Sequence, residues 1–248
     1  MSIRIGLISL AMVVSLTGAL HAQDSLNYST ISFAVGINSI ANKDLFQSPY
    51  TYKGTNLVVG ASYTKFREKG QHIVDFNFSG GHIESVVSPQ AKNQLLMLYY
   101  DYLFNFKMLA AGKIRPSLGM GLHSMLSNTN YLPEIEGPKS YQSGGAYLTV
   151  GGAISYRLNK KSGFNLQLGL PVFGLVYRPD FEINGNTLAE AAFIGKGGLF
   201  SAKLEYSYRI AAKLSVTARY TFNYFAFDDP RSIDIMQNAL SIGLRKVF

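Results

Sequence analysis

The residues with chemistry to offer are few. The chain has four histidines and no cysteine, and one histidine, His21, lies in an apolar N-terminal stretch. That leaves His72, His82 and His123. Three scattered imidazoles without a thiolate make a poor donor set for zinc or its neighbours, so no metal is expected. A nucleophile–base pair fares no better. His123 and Ser124 are adjacent, so in an extended segment they point to opposite faces. Asp228-Asp229 is a carboxylate pair with no histidine nearby. No Gly-rich phosphate loop sits on a strand–helix unit, and no basic-aromatic face suited to nucleic acid occurs. No cofactor is expected and no catalytic residue is assigned. What remains is a set of charges: Asp75, Asp101, Arg115, Arg157, Lys203, Glu205, Arg209 and Arg219. Their chemistry is ion pairing, or a basic lining that attracts anions.

Those charges lie in segments that alternate with period 2. Ten such segments can be read: Tyr28–Ile37, Thr55–Lys65, Gln71–Ile83, Gln94–Phe106, Ile114–Leu126, Ala146–Leu158, Phe164–Val176, Leu199–Ile210, Leu214–Phe227 and Asn238–Phe248. In Ala146–Leu158, residues Ala146, Leu148, Val150, Ile154, Tyr156 and Leu158 share one face, and Tyr147, Thr149, Gly151, Ala153, Ser155 and Arg157 share the other. One oily face and one small or polar face is a strand pattern. In the last segment, Leu240, Ile242 and Leu244 lead to a terminal Phe248, with Lys246 the one departure. A strand that stops at an aromatic carboxyl terminus resembles the closing strand of Gram-negative outer-membrane β-barrels. In that family this strand is also the recognition signal for the barrel-assembly machinery. The resemblance implies an all-β fold: a closed, antiparallel, up-and-down transmembrane barrel of ten strands.

The connections fit. Short links (Arg67–Gly70, Lys107–Lys113, Asn159–Gly163, Ala211–Lys213) alternate with long ones at about 38–54, 84–93, 127–145, 177–198 and 228–237. Short periplasmic turns and long extracellular loops mark such barrels. With ten strands both ends fall on the short-turn side. Each down-going strand carries an aromatic before its short turn: Tyr63, Phe104 with Phe106, Tyr156, Tyr208, and finally Phe248. At one depth these would form an interfacial girdle. The turns and strand ends carry Lys65, Arg67, Lys69, Lys107, Lys113, Lys160, Lys161 and Lys213 against Glu68 alone, whereas the long loops are richer in acids. Exposed turns need charge for solubility, and anionic headgroups would also attract it. Two places depart from the pattern. Pro171 cannot donate a ladder hydrogen bond, so a bulge or an early strand end is expected there. Thr187–Phe193 reads as a short helix in the longest outer loop, with Thr187 as N-cap.

If the apolar parity faces lipid, the charges line the lumen, together with Asn77, Asn105, His123, Gln167, Asn223 and Arg245. Two readings stand. Narrow barrels fill their interiors with paired side chains; alternatively, the basic excess lines a slim pore for anions. The enzymes of this family offer no match. Omptin proteases use paired Asp and an Asp-x-His element, which is absent here. Lipid A deacylases use a His and a Ser two residues apart, whereas His123 and Ser124 are adjacent. Outer-membrane phospholipases combine His, Ser and Asn on neighbouring strands. His72, His82 and His123 could each meet a Ser in space, but no spacing supports it. The chain is therefore read as no enzyme and its histidines as polar wall or loop residues.

The N-terminus reads as a cleaved secretory signal over residues 1–22, with residues 23–248 as the barrel. Arg4 supplies the positive charge, Ile5–Leu20 the apolar run, and Leu20-His21-Ala22 the cleavage site. No cysteine follows the small residues, so a lipoprotein signal is not expected. No appended peptidoglycan-binding domain or plug is expected either. Charged residues are only 15% of the chain while Tyr and Phe number 16 each, a balance suited to a lipid-facing wall rather than a soluble enzyme. The absence of Cys fits an exported chain held by a closed ladder instead of disulfides. The Ala22/Gln23 junction and the Tyr-rich, Trp-free girdle look like those of Bacteroidota proteins. The expected location is the outer membrane, as a monomer. The expected partners are outer-membrane lipid and lipopolysaccharide, the assembly machinery and an envelope protein, with no nucleic acid. Three functional readings follow: a structural or binding barrel acting through its extracellular loops, a narrow anion-preferring, porin-like channel, and a rim enzyme modifying lipid or peptide.

Overall fold

A computed structural model describes residues 27–45, 50–86, 91–110, 112–131, 140–179, 187–193, 196–228 and 232–248. The proposed signal lies outside them, as do the tips of several long loops. Among the described residues there are eleven strands: β1 (Tyr28–Asp44), β2 (Tyr52–Phe66), β3 (Gly70–Ile83), β4 (Ala91–Asn105), β5 (Ile114–Tyr131), β6 (Ser140–Arg157), β7 (Ser162–Pro179), β8 (Thr187–Phe193), β9 (Gly197–Ala211), β10 (Leu214–Phe227) and β11 (Ile233–Val247). Antiparallel ladders join β1 through β7 in order, then β7 to β9, β9 to β10 and β10 to β11, and β11 closes on β1. The ring has ten strands, and β8 stands outside it. Closure of the ring satisfies the backbone groups of the membrane-embedded wall without water.

The strands are longer than the roughly 9–11 residues that cross a bilayer, and their outward faces show why. On β1, Ile31, Phe33, Val35 and Ile37 point out, and Phe33 is 66% exposed. Leu57, Val59 and Tyr63 do so on β2, and Leu240, Ile242 and Leu244 on β11. About ten residues per strand at about 3.3 Å each, tilted by roughly 40°, give the apolar band of about 25 Å that hydrocarbon requires. Beyond it the pattern inverts. Ser39 and Lys43 face outward on β1 while Ile40 is buried inside. On β11 Ile233 and Ile235 turn inward around Asp234, and on β10 Phe225 and Phe227 turn inward. This outer extension encloses an apolar cluster together with buried polar groups such as Asn42, Asp44 and Arg178. The long loops read from the sequence are correspondingly shortened, because β1 runs on to Asp44 and β2 begins at Tyr52.

Pro171 produces a bulge, and β7 continues past it. Thr149 pairs with Pro171 but the next β6 residue, Leu148, pairs with Phe173, so Val172 is the extra residue. The bulge swaps the parity of β7: Gln167 points inward before it, and Val176 and Arg178 after it. Proline also ends the pairing of β7 with β9, whose last matched pair is Gly169 with Ser201. The outer edge of β7 is thereby left open, and the segment Thr187–Phe193 fills it. That segment is not a helix. It is β8, paired antiparallel to Phe173–Pro179. Its helical composition is a weak local preference, and an unpaired ladder beside it is a stronger demand.

Candidate functional site: a charged lumen under an apolar closure

The lumen is built in layers. The outermost holds a buried ion pair across the barrel, Arg178 Nη2 of β7 on Asp44 Oδ1 of β1 at 2.6 Å. Asn42 reaches over to donate to Thr129 Oγ1 at 3.2 Å. Tyr141 lies beside the ion pair, and burial pushes its phenol pKa upward, so it stays neutral. Among these groups and below them runs a continuous apolar core that includes Ile40, Tyr52, Ile83, Leu95, Met97, Tyr147, Leu199, Phe225 and Ile235. Tyr147 and Phe225 meet edge to face, with ring centroids 6.2 Å apart. The sequence reading placed polar side chains throughout the interior and missed this core. Its signal in the sequence is the reversal of polarity between the two faces at the outer ends of the strands.

Beneath the core, Tyr99 donates to Asn223 Oδ1 at 2.9 Å, and Asn223 donates to Gln237 at 2.9 Å. The next layer joins four strands. His123 Nε2 of β5 lies 2.9 Å from Asp101 Oδ1 of β4. Ser201 Oγ of β9 lies 3.2 Å from His123 Nδ1. Gln167 of β7 donates to Asp101 Oδ2 at 2.7 Å. Sequence spacing did not show that His123 would meet a serine and a carboxylate. The β4–β5 register brings them together with Ser201 from across the lumen. With Nε2–H donating to Asp101, Nδ1 accepts from the Ser201 hydroxyl. This is the polarity of a hydrolytic triad with the ring nitrogens exchanged. Asp101 and His123 are only 1% and 2% exposed, and Tyr99 covers the imidazole edge-on at 4.8 Å. Every polar atom of the pair is thus engaged, and the group acts as a strut. Gly169 makes room for it. A Cβ there would press into the His123 ring and stand 2.7 Å from Ser201 Oγ. We expect Gly169→Ala to lower stability by about 1–3 kcal/mol through overpacking, read as a lower urea midpoint for the refolded protein.

The periplasmic-side half carries the charges. Lys203 of β9 bonds Asp75 of β3 across the barrel, and Arg219 Nη1 of β10 lies 3.9 Å from the same carboxylate. Glu205 takes a two-pronged contact from Arg219, Nε at 3.1 Å and Nη2 at 2.8 Å, and a further bond from Arg245 of β11. Asp75, Asp101, Glu205, Arg219 and Arg245 are all buried, and Lys203 is nearly so. Arg115, Arg157 and Arg209 lie near the short-turn mouth and are half-buried. Arg209 bonds the backbone oxygen of Lys160, and Arg115 approaches Met108 Sδ at 4.0 Å. Of the eight predicted charges, five therefore fall into one paired core and three into the mouth. Arg245 belongs to the core as well. A small cavity of about 20 Å³ lies between Phe66, Gln71, Lys203, Glu205, Arg219 and Arg245.

Tyr63, Phe104, Phe106 and Tyr208 are exposed near the short turns, Tyr156 is half-exposed, and Phe106 falls just past the end of β4. Leu240, Ile242, Leu244 and Phe248 form an exposed stripe along β11 and its end.

No family model and no curated protein matches the sequence. Solved structures do. The outer membrane protease OmpT of Escherichia coli aligns with 93% of this chain and all of that one, at TM-score 0.59 and 10% identity. The translocator domain of the autotransporter NalP of Neisseria meningitidis aligns at TM-score 0.50 and 10% identity, over 90% of this chain and 89% of that one. At such identities the likeness is one of fold: this chain folds as an outer-membrane β-barrel.

Proposed function

We propose that this is an integral outer-membrane barrel of a Gram-negative bacterium. Its lumen is closed, and its work is structural or binding, done at its ends, without catalysis. The observation that supports closure is the apolar core. A conducting pore needs a wetted path, whereas a constriction lined by packed apolar side chains excludes water and ions. The Asp44–Arg178 pair and the Asn42–Thr129 bond tie opposite walls together above it. The triad-like strut does not argue for hydrolysis, since its imidazole is covered and its carboxylate is spent on Gln167.

In this reading the leader of residues 1–22 exports the chain, and Leu240, Ile242, Leu244 and Phe248 present the assembly signal. Tyr63, Phe104, Phe106, Tyr156 and Tyr208 seat the barrel at the lipid interface, where lipopolysaccharide covers its outer side. The loops near residues 128–144 and 177–198 would contact a ligand or an envelope partner. Planar-bilayer recording of the refolded protein under a salt gradient tests this. Insertion without steady current steps is the expected result. Stable steps from the unmodified protein, with a reversal potential favouring anions, would replace the closed barrel with the narrow anion channel.

A further inference from the structure

We propose that the outer wall of β2, β3 and β4 carries, at its short-turn end, a site for the phosphate group of an anionic phospholipid in the periplasmic leaflet. Three observations carry it. First, Lys65 of β2, His72 of β3 and Tyr102 of β4 are register partners, so they stand in one row across three strands. Their side chains share the lipid-facing parity. Phe66, Gln71, Ile73, Asp101 and Leu103, which flank them in the chain, are all buried inside. Opposed side chains on neighbouring strands have Cβ atoms about 4.5–5.5 Å apart. An ammonium, an imidazole and a phenol therefore lie within reach of one small group.

Second, the imidazole is held in place. Tyr100 Oη lies 3.0 Å from His72 Nδ1. The ring of Tyr102 stands 4.7 Å from the imidazole, and Phe104 meets Tyr102 edge-on at 4.7 Å. With the Tyr100 hydroxyl donating to Nδ1, Nε2 carries the hydrogen and has no acceptor among the described residues. Third, positive charge is unanswered there. The adjoining turn adds Arg67 and Lys69, with Glu68 as its one acid. No ion pair among the described residues involves Lys65, Arg67 or Lys69.

The occupant follows from where the row sits. A lipid-facing wall is covered by lipid, and its short-turn end lies at headgroup depth. A phosphodiester carries one negative charge on two unesterified oxygens. Lys65 Nζ and His72 Nε2–H can each donate to one of them, in charge-assisted bonds. Lys65 lays its apolar stem along the wall and keeps its ammonium at the depth of the phosphate. The rings of Tyr102 and Phe104 offer apolar faces to the glycerol and the first acyl carbons, with the Tyr102 hydroxyl toward water. Arg67 and Lys69 stand beyond the phosphate, where a zwitterionic lipid would place its own ammonium. They repel that ammonium and favour a headgroup without one. The other short turns carry lysines but no histidine. The inference rests on the membrane placement of the barrel, and its test does not depend on whether the lumen conducts.

The experiment is native mass spectrometry of the refolded chain released from non-ionic detergent micelles. Phosphatidylglycerol, or phosphatidylethanolamine with the same acyl chains, is titrated into the micelles. A first bound phosphatidylglycerol is expected at about tenfold lower concentration than phosphatidylethanolamine. Lys65→Gln should weaken it about fivefold, the effect of one cation at an anionic surface. His72→Phe keeps a ring against Tyr102 but has no N–H, and should weaken it about tenfold. Lys160→Gln, at another short turn, should leave it unchanged. Heat-dependent gel migration reports that each variant is folded. Equal retention of the two lipids by the wild-type protein would overturn the site, as would wild-type affinity in the folded Lys65→Gln and His72→Phe proteins. An equal loss in Lys160→Gln would also overturn it, leaving only a diffuse attraction of all the basic turns. A folded barrel that fails in any of these ways loses the site while its membrane placement and closed lumen stand.

Discussion

Replacing Glu205 by alanine is expected to destabilise the barrel by about 3–5 kcal/mol, the largest effect of any single charge in the molecule. The reason lies in what the change leaves behind. Arg219 and Arg245 both direct their guanidinium groups at this carboxylate, and both are about 95% buried. Without Glu205, two cations share an interior with Asp75 as the one nearby counter-ion, and Asp75 already pairs with Lys203. Uncompensated buried charge is far costlier than the modest net gain from forming the pair. Glu205→Gln should fall between, because its amide oxygen can still accept one bond from each arginine in turn. Arg209, whose hydrogen bond goes to a backbone oxygen at the mouth, is the control. Arg209→Gln should cost well under half as much as Glu205→Ala. Urea titration of the refolded proteins, followed by the fraction that resists heat-dependent migration, measures all three. Equal costs for Glu205→Ala and Arg209→Gln would show that the network is not the stabilising unit.

The second large effect is expected in the apolar closure. Phe225 is fully buried and Tyr147 almost so, and they pack against each other inside the wall. Phe225→Ala should cost about 3–5 kcal/mol, because the transfer term is lost and the rigid ladder cannot collapse into the void. Phe33→Ala is the matched control. Its ring is 66% exposed on the lipid face, where acyl chains fill the space left by a smaller side chain and no cavity remains. Its cost should be a small fraction of that for Phe225. The double variant Tyr147→Ala with Phe225→Ala removes both faces of the edge-on pair and should wet the section that blocks the lumen. In planar bilayers it should show current steps where the parent shows none. A double variant that is folded but silent would mean that the Asp44–Arg178 layer closes the lumen by itself.

The two effects have a common origin. The same ten strands run through lipid and then past it. Within lipid they must keep apolar side chains outside and can store charge only inside, paired. Past it, water takes over the outer face and apolar side chains are driven in. The barrel is therefore polar at its core where it is membrane-embedded, and beyond the lipid its core is largely apolar, with the Asp44–Arg178 pair set among it.

The sequence alone determined the class, the strand count of the ring, the lipid-facing parity, and the alternation of short and long connections. These follow from period-2 patterning and from the cost of charge in hydrocarbon, and both are local in the chain. Pro171 announced a break in the ladder, as a bulge or an early strand end, because a missing N–H is a property of one residue; the structure has the bulge. Tertiary structure decided the rest. Which charges meet depends on register and on pairing across the lumen: Asp75 and Lys203 are 128 residues apart, and Asp44 and Arg178 are 134 apart. His123 found Asp101 and Ser201 in the same way, where adjacency to Ser124 had been the only local cue. The segment Thr187–Phe193 has a helical composition and became a strand because an open edge lay beside it. The closure itself was hidden because Ile40, Phe225, Phe227, Ile233 and Ile235 look like any other apolar strand residues. They keep the inward parity of the polar residues on their own strands, Arg219 and Asn223 on β10 and Gln237 on β11, and the height at which the wall leaves the lipid, where an apolar interior replaces a polar one, is set by the whole barrel rather than by any stretch of the chain.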